Sequence, residues 1–157
     1  MYVIRDNFLS IEENFNVLQY CQSASYTYGA TDNVDTPITG FVHYIPKEEP
    51  VFNLLFDKVN PLTSHSGFTF YTMYINCFSP AENPYFHIDN REGITLLYYP
   101  QFDWNLDDGG ETQLFIGGTI HGITPITNRL LMFDSGILHR ATSFRDRHRF
   151  TIAIKYE

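Results

Sequence analysis

Arg149-Phe-Thr-Ile-Ala-Ile-Lys-Tyr156 alternates an apolar row, Phe150, Ile152, Ile154 and Tyr156, with a less apolar one, Arg149, Thr151, Ala153 and Lys155. Successive side chains of a strand face opposite ways, so this period of two predicts a core strand whose second side looks onto a more polar space. The segments 68–78, 93–99, 113–116 and 129–133 also read as strands. Asp108-Gly109-Gly110, Gly117-Gly118 and Asp134-Ser135-Gly136 supply turns between them. Fourteen Phe and eleven Tyr suit a pleated, half-buried surface.

The first 67 residues have a different character. Ser10-Ile-Glu-Glu13 has the form of a capping box, and Ile11, Phe15, Leu18 and Gln22 recur at helical spacing, so a helix is expected from about Ile11 to Ser23. A second is expected over 48–59, with Phe52, Leu55, Phe56 and Val59 as its apolar stripe and Asn60-Pro61 as its end. Between them, 26–40 is rich in Thr, Gly, Asp and Asn and reads as a long loop, a candidate lid. Two helices followed by a run of mostly antiparallel strands predict a mainly β, α+β domain, with the helices packed on one sheet of a sandwich or jelly roll. At 157 residues the chain is expected to be a single domain, 1–67 forming helical support and lid and 68–157 the β core.

A formal net charge of −8 repels phosphate backbones and disfavours a nucleic-acid partner; the one basic run is 140–149. Two cysteines without Cys-x-x-Cys spacing indicate neither a disulfide framework nor a zinc knuckle. With no signal-like start and no apolar run of spanning length, the expectation is a soluble, cytoplasmic protein without a membrane partner.

His87-Ile-Asp89 places an imidazole and a carboxylate on one side of an extended segment, with Ile88 directed into the opposite layer. Such a pair can hold a divalent metal. His139, after the apolar strand 129–133 and a Gly turn, is the candidate third ligand; His121 and His148 are its rivals. Two His and one carboxylate on one face of an octahedron leave three positions open, the arrangement of non-haem Fe(II) oxygenases. Arg149, leading the less apolar face of a core strand, needs a buried anion. A dicarboxylate cosubstrate would supply it, since a guanidinium fork suits a carboxylate; an internal Asp or Glu is the other way to satisfy it. Tyr99 is placed to donate to the same carboxylate, and Thr151 shares the face of Arg149.

These residues occur in a familiar order. His87-x-Asp89, Tyr98-Tyr99, Asp103-Trp104, Gly109-Gly110-Glu111-Thr112-x-Leu-Phe115, Arg129-Leu-Leu-Met-Phe133, His139 and Arg149 ten residues on together resemble the prolyl 4-hydroxylase group of 2-oxoglutarate- and Fe(II)-dependent dioxygenases. The resemblance covers 71–157. It implies a double-stranded β-helix, with His87, Asp89 and His139 as iron ligands and Arg149 with Tyr99 on the distal carboxylate of 2-oxoglutarate. Where that family often places another Tyr, this chain has Phe78, so Tyr74 or Tyr85 would have to substitute. The implied cosubstrates are 2-oxoglutarate and O2, with ascorbate as an accessory reductant. The implied activity is hydroxylation of a substrate, foremost a prolyl residue of a peptide or protein, with release of succinate and CO2. Asp89 favours hydroxylation, because halogenating relatives lack that carboxylate.

Other readings stay open at this level: an oxygenase acting on a free amino acid or other small molecule, a non-catalytic jelly-roll binding module that retains a metal, and an isomerase-like metal barrel. Trp104 among Asp103, Asp107 and Asp108 reads as a loop anchor, or as part of an acidic rim suited to a cationic or peptide substrate. Arg145 and Arg147 read as a solvated charged turn.

Overall fold

The computed structural model describes residues 1–157. In chain order the elements are β1 (Tyr2–Arg5), α1 (Ile11–Ser23), β2 (Thr27–Tyr28), β3 (Phe41–Tyr44), α2 (Pro50–Thr63) and β4 (Phe70–Phe78). They continue with β5 (Ile94–Tyr99), β6 (Thr112–Ile116), β7 (Thr119–Ile123), β8 (Arg129–Asp134), β9 (Leu138–Ala141) and β10 (Arg149–Tyr156). A 3-10 turn at Leu106–Asp108 precedes β6.

Every strand pair is antiparallel. The large sheet has the order β1-β8-β5-β10-β4-β3-β2 and the small one β7-β6-β9. A single bridge between His87 and His139 adds one more row beside β9. The two sheets face each other as the double-stranded β-helix predicted from the sequence. β10 lies between β5 and β4, so both its edges are paired, and the helices and the small sheet cover its two faces. Ile152, Ile154 and Tyr156 belong to a core shared with the helices, whereas Ala153 belongs to the core between the sheets with Leu97, Leu114, Leu131 and Phe133.

α1 begins where the capping box predicts. Ser10 Oγ accepts from Glu13 N–H at 3.1 Å, and the Glu13 carboxylate accepts from Ser10 N–H at 2.8 Å. Its packed stripe matches the predicted one only at Leu18: Asn14, Val17 and Cys21 are buried with it, while Ile11 is 80% exposed and Phe15 50%. The reason is tertiary. The Asn14 amide donates to Pro100 O at 3.1 Å and its oxygen accepts the Tyr98 hydroxyl, which turns a polar residue inward.

α2 buries Val51, Phe52, Leu55, Val59 and Thr63, close to the expected stripe, with Phe56 half-buried. Truncating a fully buried Leu such as Leu55 to Ala costs about 2–5 kcal/mol. The helix does not stop at Asn60-Pro61 but runs through Pro61 to Thr63. Proline removes the bond to the carbonyl four residues back, and here that residue, Asp57, is exposed, so water can serve its carbonyl.

Five strands escape a reading of the sequence by pattern. β2 falls inside the predicted loop 26–40 and β3 directly follows it; β9 has only four residues; β7 buries Ile123 alone and so lacks an alternating signature. β1 is a four-residue edge strand, paired to β8. No helix is long and apolar enough to cross a membrane.

Candidate metal centre

The bridge between His87 and His139 brings the two imidazoles together. Backbone N–H and C=O of the two residues exchange hydrogen bonds at 2.9 Å in both directions, and the ring centres lie 4.4 Å apart. Each ring is oriented through Nδ1, which bonds a carbonyl: Tyr85 O for His87 at 3.0 Å, Ile137 O for His139 at 2.8 Å. A ring that donates from Nδ1 presents the lone pair of Nε2, so both Nε2 atoms are available to a cation. Each lies 3.6 Å from a different oxygen of Asp89. Ligand atoms of the three residues all lie within 4.8 Å of one another. An octahedral ion with bonds of about 2.1 Å needs neighbouring ligands about 3 Å apart, so binding requires the three side chains to draw closer together than they stand here. Two nitrogens and one carboxylate oxygen on one face fit Fe(II).

Asp89 is not free before a metal arrives. Oδ1 accepts from Lys155 Nζ at 2.6 Å, and Oδ2 accepts the Thr95 hydroxyl at 2.5 Å. Burial alone would raise its pKa, but His87, His139 and Lys155 outweigh it and hold the carboxyl well below the usual range. The two imidazoles differ. Burial opposes charge on His87, yet hydrogen bonds to Asp89 and Tyr85 O and the charges of Asp89 and Asp32 raise its pKa. Burial dominates at His139 and brings it down to about 4 despite Asp89.

A cavity of about 510 Å³ extends from this centre along β10, whose Arg149, Thr151, Ala153 and Lys155 all line it. At the far end Arg149 is 1% exposed; its Nε donates to Gly110 O at 2.8 Å and Nη2 to Thr112 Oγ1 at 3.1 Å. No carboxylate of the chain lies within ion-pairing distance, which removes the internal Asp or Glu as its partner. Burial lowers its pKa, opposed by Tyr99 and Glu111. Beside it, Thr151 Oγ1 is buried with no hydrogen-bond partner. A buried guanidinium lacking an anion and an orphaned hydroxyl facing one cavity fit a ligand carboxylate.

The Gly109-Gly110 turn has a structural cause. Gly110 has φ +82°, and a Cβ there would meet Phe144 Cε1 at 2.3 Å. The flat approach aims Gly110 O at Arg149.

Other residues singled out in the sequence fall in and out of this cavity. Tyr74 lines it, its ring centre 5.1 Å from Lys155 Nζ, and Phe78 lines it opposite Arg149 in the ladder. Tyr99 stands behind Thr112 and gives its hydroxyl to Thr112 Oγ1 at 2.8 Å, outside the lining. Tyr85 contributes backbone, not ring. Ile88 is not in an opposing layer: the segment is a single bridge, not a strand, and Ile88 stands 44% exposed on the cavity wall. His121 and His148 are exposed.

The acidic loop forms no rim to the cavity. Asp103, Trp104, Asp107 and Asp108 are absent from its lining, Trp104 anchors the loop by donating to Gly109 O at 2.9 Å, and Asp108 pairs with Arg147 at 2.9 Å. Arg147 and Arg145, which bonds Asp107 O at 3.1 Å, therefore fasten two loops together and are not simply solvated.

Three contributors were not singled out by pattern. Thr95 and Lys155 hold Asp89; for Lys155 the signal was its place on the face of Arg149. Asp32, in the loop 26–40, accepts Tyr85 N–H at 2.8 Å and the Thr39 hydroxyl at 2.9 Å through Oδ2, with Oδ1 3.6 Å from His87 Nδ1. No local motif marks it.

No family model matches the chain, and no curated protein does. Solved structures do. A prolyl hydroxylase from Trichoplax adhaerens, in complex with a hypoxia inducible factor oxygen degradation domain peptide fragment, superposes with a TM-score of 0.80 at 24% identity, covering 99% of this chain and 82% of that one. A Pseudomonas putida prolyl-4-hydroxylase gives 0.78 at 16% identity, covering 99% and 91%. HygX from Streptomyces hygroscopicus, with nickel and 2-oxoglutarate bound, gives 0.76 at 12%, covering 99% and 82%. At these identities the shared property is the fold.

Proposed function

We propose that this chain is a non-haem Fe(II), 2-oxoglutarate-dependent dioxygenase that hydroxylates a prolyl residue of a peptide or protein, releasing succinate and CO2. One observation carries the reading: a two-His, one-carboxylate face opens into the same cavity as a buried arginine that has no carboxylate partner. The fold shared with two prolyl hydroxylases and with a 2-oxoglutarate-bound protein supports the substrate class and the cosubstrate.

His87, Asp89 and His139 would hold Fe(II), with Thr95 and the two backbone carbonyls fixing ligand orientation. Arg149 and Thr151 would bind the far carboxylate of 2-oxoglutarate, Tyr99 fixing Thr112 beside them, and Tyr74 would close the wall near the metal. Iron, 2-oxoglutarate and O2 together supply the oxidation, one oxygen atom going to a substrate C–H and the other into succinate as CO2 leaves. The chain's share is positioning and exclusion of water. The loop 26–40, which contributes Thr31, Asp32 and Thr39 to the cavity wall, would act as the lid of a single domain whose core is 68–157. Ascorbate is included as accessory reductant. The chain is assigned to the cytoplasm, supported by two free, buried thiols.

Anaerobic protein with Fe(II) and 2-oxoglutarate should develop the weak visible charge-transfer band of the chelate. In air, with a peptide library and ascorbate, it should then form succinate in step with hydroxyproline. No band and no 2-oxoglutarate binding would leave a metal-retaining binding module instead. A band with turnover on free amino acids alone would move the substrate from peptide to small molecule.

A further inference from the structure

Lys155 carries the second cation of the cavity, and its only anionic partner is a metal ligand. Nζ lies 2.6 Å from Asp89 Oδ1, and the side chain is 15% exposed. Asp89 has a second anchor besides it. Its other oxygen is held by the Thr95 hydroxyl, itself 3.0 Å from Ser135 Oγ. A divalent ion between His87, Asp89 and His139 would compete with the ammonium for the carboxylate's negative charge. A sequestered ammonium without an anion is strongly disfavoured, so it needs a new partner within reach of the metal. Six residues back on the same face stands Arg149, which also lacks one. One strand thus directs two cations into one cavity, one beside the metal centre and one at the far end.

We propose that Lys155 binds the metal-proximal carboxylate of a 2-oxo dicarboxylate whose distal carboxylate Arg149 holds. This rests on the 2-oxoglutarate reading above and assigns the near end of the same ligand. The role of Thr95 makes it distinct from a lysine that merely orients Asp89.

The test uses two oxo acids on anaerobic, Fe(II)-loaded protein, followed by the chelate band. 2-Oxoglutarate has both carboxylates; 2-oxopentanoate keeps the oxo-acid end and terminates in a methyl group. Lys155→Met should weaken both by about tenfold or more, the scale of one charge-assisted hydrogen bond. Arg149→Leu should weaken 2-oxoglutarate alone, and Lys155→Arg should retain most of the wild-type affinity for each. Co(II) titrations without oxo acid provide the control, and Lys155→Gln replaces the Met variant should that one fail to fold. Weaker Co(II) binding by the Met variant, with wild-type affinity for both acids once loaded, would reduce Lys155 to a positioning residue for Asp89 and overturn the proposal. Unchanged affinity for 2-oxopentanoate would overturn it as well. A wild-type protein that shows no band with either acid overturns the cosubstrate reading itself, and this assignment with it.

Discussion

Arg149 Nε donates to the carbonyl of Gly110 at 2.8 Å, and residue 110 lies flat against the Phe144 ring only because it has no side chain. The turn between the 3-10 segment and β6 therefore builds the anion end of the cavity as well as connecting strands. Gly110→Ala combines a left-handed backbone with a clash against Phe144, and is expected to cost about 2–4 kcal/mol. Denaturant unfolding would measure the loss, and 2-oxoglutarate affinity should fall further than Fe(II) affinity.

Asp32 reaches the metal centre from outside the ligand set. Its Oδ1 lies 3.6 Å from Nδ1 of His87, and its Oδ2 ties Tyr85 N–H to Thr39. Outer partners of ligating histidines typically matter by about 10–100-fold in metal affinity. Asp32→Asn is expected to weaken Co(II) binding by about tenfold with little change in global stability; Co(II) titration and thermal unfolding on the same samples would separate the two.

Metal affinity should fall as pH falls, because an imidazolium cannot ligate. The sign and the stoichiometry follow from the two histidines. His87, raised above 6.5, still carries a proton at pH 6 that an incoming ion must expel, whereas His139, at about 4, does not. Between about pH 4 and the pKa of His87 each bound ion should release one proton, rising to two only below about 4. Calorimetry in buffers of different ionisation enthalpy counts these protons; two released at pH 6 would contradict the assignment.

The buried Asn128 is a structural hub away from the metal. Its Oδ1 accepts Leu9 N–H at 2.8 Å and lies 2.9 Å from the Tyr98 hydroxyl that it shares with Asn14, and its Nδ2 donates to Leu9 O at 2.6 Å, at φ +61°. Asn128→Ala strands these groups and strains the backbone, for an expected cost of about 3 kcal/mol or more. Chemical denaturation should show that loss while Co(II) affinity of the folded protein stays near wild type.

The order and spacing of His87, Asp89, His139 and Arg149, the alternation of β10 and the capping box of α1 are all local statements, and the sequence alone determined them. A period of two or of 3.6 records which side of an element meets the core, and ligands on a strand end keep their register. What only the tertiary structure decided depends on distance across the fold. The pattern of α1 favoured Ile11 and Phe15, but Asn14 turns inward because Tyr98 and Pro100, more than eighty residues away, satisfy its amide. Tyr99 was a plausible carboxylate donor until Thr112 took its hydroxyl, and the acidic loop was a plausible rim until Arg147 claimed Asp108. Asp32, Thr95 and Lys155 converge on the metal ligands through hydrogen bonds and electrostatic contacts that leave no periodic trace in the chain. Periodicity reports burial; which polar group meets which is set only when the sheets close on each other.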